Sequence, residues 1–202
     1  IYKVGGLYSD AISRIVSLLE KAANYAENEA QLNTINKLVE YYKTGDLRQF
    51  DEYSILWLQD TASQVDFING FIESYGDPLG MTGAWESIVN FKNQAASQRT
   101  EIISANAQWF EDHSPIDSRF KKEEVKGVSA KVITAAILSG DAYPATPIGI
   151  NLPNSNWIRA QYGSKSVTIE NITQAYDAAS QGNGFNEEFV IEISNYAFSN
   201  QL

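Results

Sequence analysis

At 202 residues, with 44% hydrophobic and 20% charged side chains, the chain is long enough to bury a substantial core and too apolar for wholesale disorder. Its net charge of −10 excludes unaided nucleic-acid binding; the nearest basic cluster, "RFKK" at Arg119–Lys122, runs at once into two glutamates and reads as a solvated helix start. Without Cys there is no disulfide and no thiolate metal site, and no run approaches the roughly 18 apolar residues of a membrane helix.

A cytoplasmic location is expected, while the absence of Cys does not exclude a periplasmic one. The chain opens at Ile1 directly on patterned sequence, with no charged-then-apolar leader, as an excised piece of a longer protein would.

In chain order, "SDAISRIVSLLEKAANYAEN" carries Ile12, Ile15, Val16, Leu19, Ala22, Ala23 and Ala26 at helical spacing, with Ser9 or Asp10 placed to cap it. "NEAQLNTINKLVEYYKTGD" repeats the pattern through Leu32, Ile35, Leu38, Val39 and Tyr42. Gly45 is placed to end that helix in a left-handed conformation. Leu47, Phe50 and Tyr53 favour a further helix, although "SILWLQ" also suits an extended segment. "TASQVDFINGFIES" sets Val65, Ile68, Phe71 and Ile72 on one helical face.

"YGDPLGMTG" then breaks regular structure with Asp77-Pro78 and Gly76, Gly80 and Gly83. From Ala84 to about Glu111 the spacing of Trp85, Ile88, Val89, Ala95, Ile102, Ile103 and Phe110 predicts a long helix. His113, in "FEDHSP", reads as a surface residue at the end of that helix. As the only His, it leaves carboxylates alone to hold any metal.

After Val128 the character changes. Pro144, Pro147 and Pro153 exclude helix in "YPATPIGINLPN" and predict an extended edge strand at Ile148–Leu152. "ENITQAYDAAS" reads as another helix, closed by "QGNG", and the tail "NEEFVIEISNYAFSNQL" suits strand or helix.

Two places carry chemistry. Glu73, at the C-terminus of the helix expected over "FIES", sits where the helix dipole disfavours negative charge, and so needs a cation or strong donors. Glu86 falls in the first turn of the next helix, where a carboxylate is favoured. A structural alternative stands beside this: Glu86 caps its helix and Asp77 forms a turn before Pro78. "PIGINLPN" offers an edge with free backbone groups plus the amides of Asn151 and Asn154, a means of adding an extended peptide as a strand. Its prolines also suit an edge blunted against aggregation.

"FIESYGDPLGMTGAWESIV" resembles the dipeptidyl peptidase III family, in which F-I-E-T/S-Y-x-D-P-x-G-x-x-G-x-x-E precedes a long helix. "IGINLPN" resembles that family's G-I-N-I/L-P-N strand, and "GLYSDAISRIVSLLEKAANYA" and "WLQD" resemble further segments in the same order. The resemblance implies a zinc exopeptidase that removes dipeptides from the N-termini of short peptides, built as a two-lobed, largely helical enzyme with a wide cleft. It implies that Glu73 and Glu86 hold the substrate's N-terminal ammonium. Tyr75 would donate a hydrogen bond to the peptide or to the oxyanion that develops in catalysis. Gly149, Asn151 and Asn154 would anchor the first substrate residues.

The family's H-E-x-x-G-H zinc motif is absent, so zinc is expected in the full-length enzyme and none in this chain. Alone, the chain is then expected to be inactive. The approach "YPATPIGIN" also departs from the family form. The expected fold is α+β and predominantly α-helical, a helical bundle with a small β element forming part of the cleft. Roughly residues 1–90 and 128–202 would form the substrate-binding lobe, and 91–127 a helical segment reaching toward the second lobe. The expected partners are a short peptide, the remainder of the parent enzyme and, through exposed apolar surface, a second copy of the chain, with no nucleic acid and no membrane. The alternatives are a non-catalytic helical peptide-binding module and a plain helical scaffold domain.

Overall fold

The computed structural model describes residues 1–79, 81, 83–125 and 128–180. Three helices come first: α1 (Ser9–Ala22), α2 (Glu29–Thr44) and α3 (Leu47–Gln59). The cap expected of Ser9 or Asp10 does not form. Tyr8 occupies the cap position at φ 62°, and Ser9 Oγ instead accepts from the Gly5 N–H at 2.8 Å. α2 is capped by Asn28, whose side chain accepts from the Gln31 N–H, and it stops at Gly45 with φ 69°. Asp46 caps α3 through the Arg48 N–H.

The rest of the chain is built around a sheet. β1 (Val65–Glu73) and β2 (Ala84–Lys92) form a hairpin-like pair. They are followed by α4 (Gln94–Ala105), α5 (Ala107–His113) and β3 (Val128–Gly140). Then come β4 (Gly149–Leu152), α6 (Asn156–Tyr162), β5 (Ser164–Ile169) and α7 (Glu170–Ala179). The strand order is β1-β2-β3-β5-β4, with β3 and β5 parallel and the other pairs antiparallel.

The expected helical bundle with a small β element is therefore overturned. The fold is α+β, but a five-stranded mixed sheet is its centre. "FINGFIES" is strand rather than helix, and so is the start of the long helix expected from Ala84. β1 is apolar on both faces: Ile68 is buried, while Phe67, Phe71 and Ile72 pack against the same core half-buried. Spacing over two covered faces mimics a helical period. In β2 the buried positions alternate, Glu86, Ile88 and Asn90, as a strand requires. Two of these three are polar, so the alternation of apolar residues is hidden. Asn93 then starts α4, its side chain accepting from the Ala96 N–H at 3.0 Å.

Helices α1–α3 pack on the sheet through Ile12, Leu38, Tyr42, Tyr53 and Trp57, which share one core with Ile68, Ile88, Ile133 and Ile169. α4 lies along β3, where Ser97 Oγ accepts from the Val132 N–H at 3.1 Å. Lys165 on β5 is wholly buried, 3.2 Å from Asp66 on β1 and 4.2 Å from the centre of the Trp57 ring. The two outer strands are also joined, because Asn154 Nδ2, just past β4, donates to the Ile72 carbonyl of β1 at 3.2 Å. No helix among the described residues is long and apolar enough to cross a membrane. "QGNG" and the tail after it lie outside the described residues.

Candidate functional site

Where the ends of β1 and β3, the start of β2 and the outer strand β4 meet, a cleft of about 330 Å³ opens. Glu73, Tyr75, Glu86, Gly149, Asn151 and Asn154, the six residues singled out in the sequence, all line it, and Asp141 lines it with them. None of these side chains comes from the helix termini that the sequence suggests. Glu73 ends β1, opposite Ala84, at an irregularity in the ladder. Glu86 lies within β2, opposite Gly70 on one side and Gly140 on the other.

Glycines on both flanking strands leave Glu86 without side-chain neighbours directly across the ladder. It is only 4% exposed, and among the described residues its carboxylate has neither a hydrogen bond nor an ion pair. Burial, then the charges of Glu73 and Asp141, push its pKa up from 4.5 to about 7. Glu73, half-buried, is also raised, by burial and by Asp141. An unpaired carboxylate in this setting favours either a proton or a cation.

Asp77 is not part of this set. Its carboxylate accepts from the Met81 and Gly83 N–H groups at 2.8 and 3.1 Å, as a turn-forming Asp does. Tyr75 stands in that turn, 93% exposed at the rim of the cleft. His113 is elsewhere, at the end of α5, its Nδ1 2.7 Å from the Trp109 carbonyl and its ring stacked on Trp109.

The edge strand supplies the other wall. Among the described residues β4 pairs only with β5, and the Ile169 N–H donates to the Ile148 carbonyl at 2.9 Å. In an antiparallel ladder alternate residues bond to the partner strand, so Ile148, Ile150 and Leu152 face β5. The backbone groups of Gly149 and Asn151 consequently point to the open side. A Cβ on Gly149 would lie 3.1 Å from the Val167 carbonyl oxygen. Asn154 differs from Asn151 in that its Nδ2 is already committed to Ile72.

Asp141 escaped the sequence reading. Its signal was the Gly-Asp step after the apolar run "VITAAILS", a strand end that delivers a carboxylate, and it becomes visible only once β3 is read as a strand. Among the described residues no group of three or more His, Asp or Glu converges to hold a metal ion.

Comparison with known proteins agrees with the resemblance. The profile of peptidase family M49 matches residues 1–199. Dipeptidyl peptidase 3 of Dictyostelium discoideum is 32% identical over 180 residues, covering 86% of this chain and 25% of that protein. Dipeptidyl peptidase 3 of Mus musculus is 32% identical over 184 residues, covering 91% and 24%. The chain thus spans about a quarter of the length of these relatives. The structure of DPP III from Caldithrix abyssi has the same fold, with a TM-score of 0.75 at 22% identity over 85% of this chain and 33% of that one. DPP III from Corallococcus sp. strain EGB gives 0.72 at 23% identity over 83% and 31%.

Proposed function

Because the chain belongs to peptidase family M49, a family of metallopeptidases, we propose that it is the substrate-binding part of a dipeptidyl peptidase that trims short peptides from their N-termini. The observation that carries this is Glu86: a buried carboxylate with no cation beside it among the described residues, next to Glu73 and an open strand edge in the same cleft. A peptide laid along β4 would bond to the outward backbone groups of Gly149 and Asn151. Its N-terminal ammonium would then meet Glu73 and Glu86 through charge-assisted hydrogen bonds. Such a site measures from the N-terminus, since a longer overhang has nowhere to place its positive end.

Tyr75 would donate to a peptide carbonyl, or to the charge that develops on it. Zinc would be supplied with ligands from elsewhere in a longer protein, and the chain alone would not cleave. In this scheme residues 1–90 and 128–202 contribute the binding lobe and 91–127 lead toward the second lobe. Ile102, Ile103, Trp109 and Phe110, exposed on α4 and α5, suit a surface covered by the rest of that protein or by a second copy. The other reading, a peptide-binding module without catalysis, rests on the same cleft and on the missing zinc ligands.

Titration calorimetry with tetra-alanine and its N-acetylated form tests the assignment. The free-amine peptide is expected to bind more tightly by about tenfold or more, and equal affinity overturns the ammonium role of Glu73 and Glu86. In the complete enzyme, Tyr75→Phe is expected to lower kcat more than it raises KM; unchanged turnover removes Tyr75 from the reaction. A complete natural protein that binds peptides without cleaving them would favour the module.

A further inference from the structure

Asp141 shares the cleft with the six residues named above, and its place there is fixed by the backbone. β3 runs antiparallel to β2 as far as Gly140, which faces Glu86. Gly140 takes φ 65°, and a Cβ there would fall 2.1 Å from the Trp85 carbonyl oxygen, so only glycine fits. The chain turns off the sheet at that point, and the Asp141 N–H donates to the same carbonyl at 3.0 Å. Ala142, the next residue, is wholly buried in the core. Asp141 is thereby held at the mouth of the cleft, next to the strand that carries Glu86.

Three acidic side chains in one place do not by themselves make a site. Glu86 supplies the independent sign of a ligand, since it is nine-tenths buried, unpartnered among the described residues, and lines this cleft. The groups that face it are Glu73 from the end of β1, Tyr75 from the following turn and Asp141 from the end of β3. Among the described residues no Lys, Arg or His lines the cleft. The three carboxylates do not converge tightly enough to chelate a metal ion. An ammonium group carries three N–H donors spread in three directions, and three separate carboxylates match it.

We propose that Asp141 is a specificity-determining residue of the ammonium subsite, its carboxylate accepting one N–H of the peptide's N-terminal ammonium while Glu73 and Glu86 accept the others. This rests on the peptide-binding reading given under Proposed function and adds a residue to it. The charge of Asp141 also contributes to the upward push on both glutamates, after burial.

The test is calorimetry of Asp141→Asn against wild type, with tetra-alanine and N-acetyl-tetra-alanine as probes. The variant is expected to lose about tenfold in affinity for the free-amine peptide and nothing for the acetylated one. The loss should shrink in high salt, because Asp141 is exposed. Carbon-detected NMR of the glutamate carboxyls should show the Glu86 titration in the variant moving down toward the ordinary carboxylate range. If wild type prefers the free amine and Asp141→Asn keeps that preference in full, Asp141 is not in the subsite and only this inference falls. If wild type shows no preference, the ammonium reading falls and Asp141 with it. Should Asp141→Asn change the thermal midpoint, Asp141→Ser carries the same comparison.

Discussion

Among the described residues three charged side chains are buried in this sheet, and two of them, Lys165 and Glu86, are treated in opposite ways. Lys165 on β5 is wholly buried, yet Asp66 stands 3.2 Å away and the Trp57 ring lies 4.2 Å from its ammonium. Asp66 is itself held, accepting from Trp57 Nε1 at 2.9 Å and from the Phe67 N–H at 2.8 Å. Glu86 on β2 is 4% exposed, and among the described residues the charges acting on it, Glu73 and Asp141, are of its own sign. A buried charge that finds its counter-charge within the fold belongs to the architecture. One that faces only its own sign in an open cleft is complete only with a proton or a ligand. Lys131 is an intermediate case: burial, then Lys165, push it down to about 8, while Asp66 pulls it back. One aspartate thus serves two lysines.

The largest expected effect follows from that. Asp66→Asn leaves Lys165 buried without its ion-pair partner and should cost about 3–5 kcal/mol in urea unfolding. An unchanged midpoint would mean that the Lys165 ammonium is hydrated, and the contrast with Glu86 would collapse.

The opposite sign is expected at Glu86. Its value in the fold lies above the ordinary 4.5, at about 7. Below 4.5 folded and unfolded chains both hold the proton, and Glu86 adds no dependence on pH. Between 4.5 and about 7 the folded chain keeps a proton that the unfolded chain has released, so stability falls as pH rises. Above that the full cost remains. Glu86→Gln should therefore raise stability at about pH 8 by roughly 2 kcal/mol, flatten the profile across this window, and weaken tetra-alanine binding. A loss of stability at that pH would show that the charge of Glu86 has a partner in the fold.

The same contrast explains what could be seen in the sequence. α1, α2 and α7 are legible because each needs only one apolar stripe, and β4 because Pro147 and Pro153 bracket it. β2 is not, since the residues at two of its three buried positions, Glu86 and Asn90, are polar. A strand that puts a carboxylate and an amide on its inner face gives up the alternation by which strands are recognised. β1 fails for a different reason, having apolar residues on both faces. The site was legible as a set of residue types in order, "FIESYGDPLGMTGAWE" and "IGINLPN", although the elements assigned to the first of these were wrong. Asp141 was not, because its place in the cleft comes from the end of β3 and from the turn at Gly140, neither of which carries a motif.

Asn154 tests where the division between architecture and ligand falls. Its resemblance-based role is to anchor peptide, but its Nδ2 donates to the Ile72 carbonyl and so ties the β4 side of the sheet to β1. Asn151, on the strand itself, has no such commitment and presents its backbone to the open edge. Asn154→Ala is accordingly expected to cost about 1 kcal/mol of stability, and to reduce tetra-alanine affinity less than Asn151→Ala does. If Asn154→Ala instead leaves urea unfolding untouched and removes most of the affinity, its amide belongs with Glu86 on the ligand's side. The hydrogen bond to Ile72 would then be one that the peptide replaces.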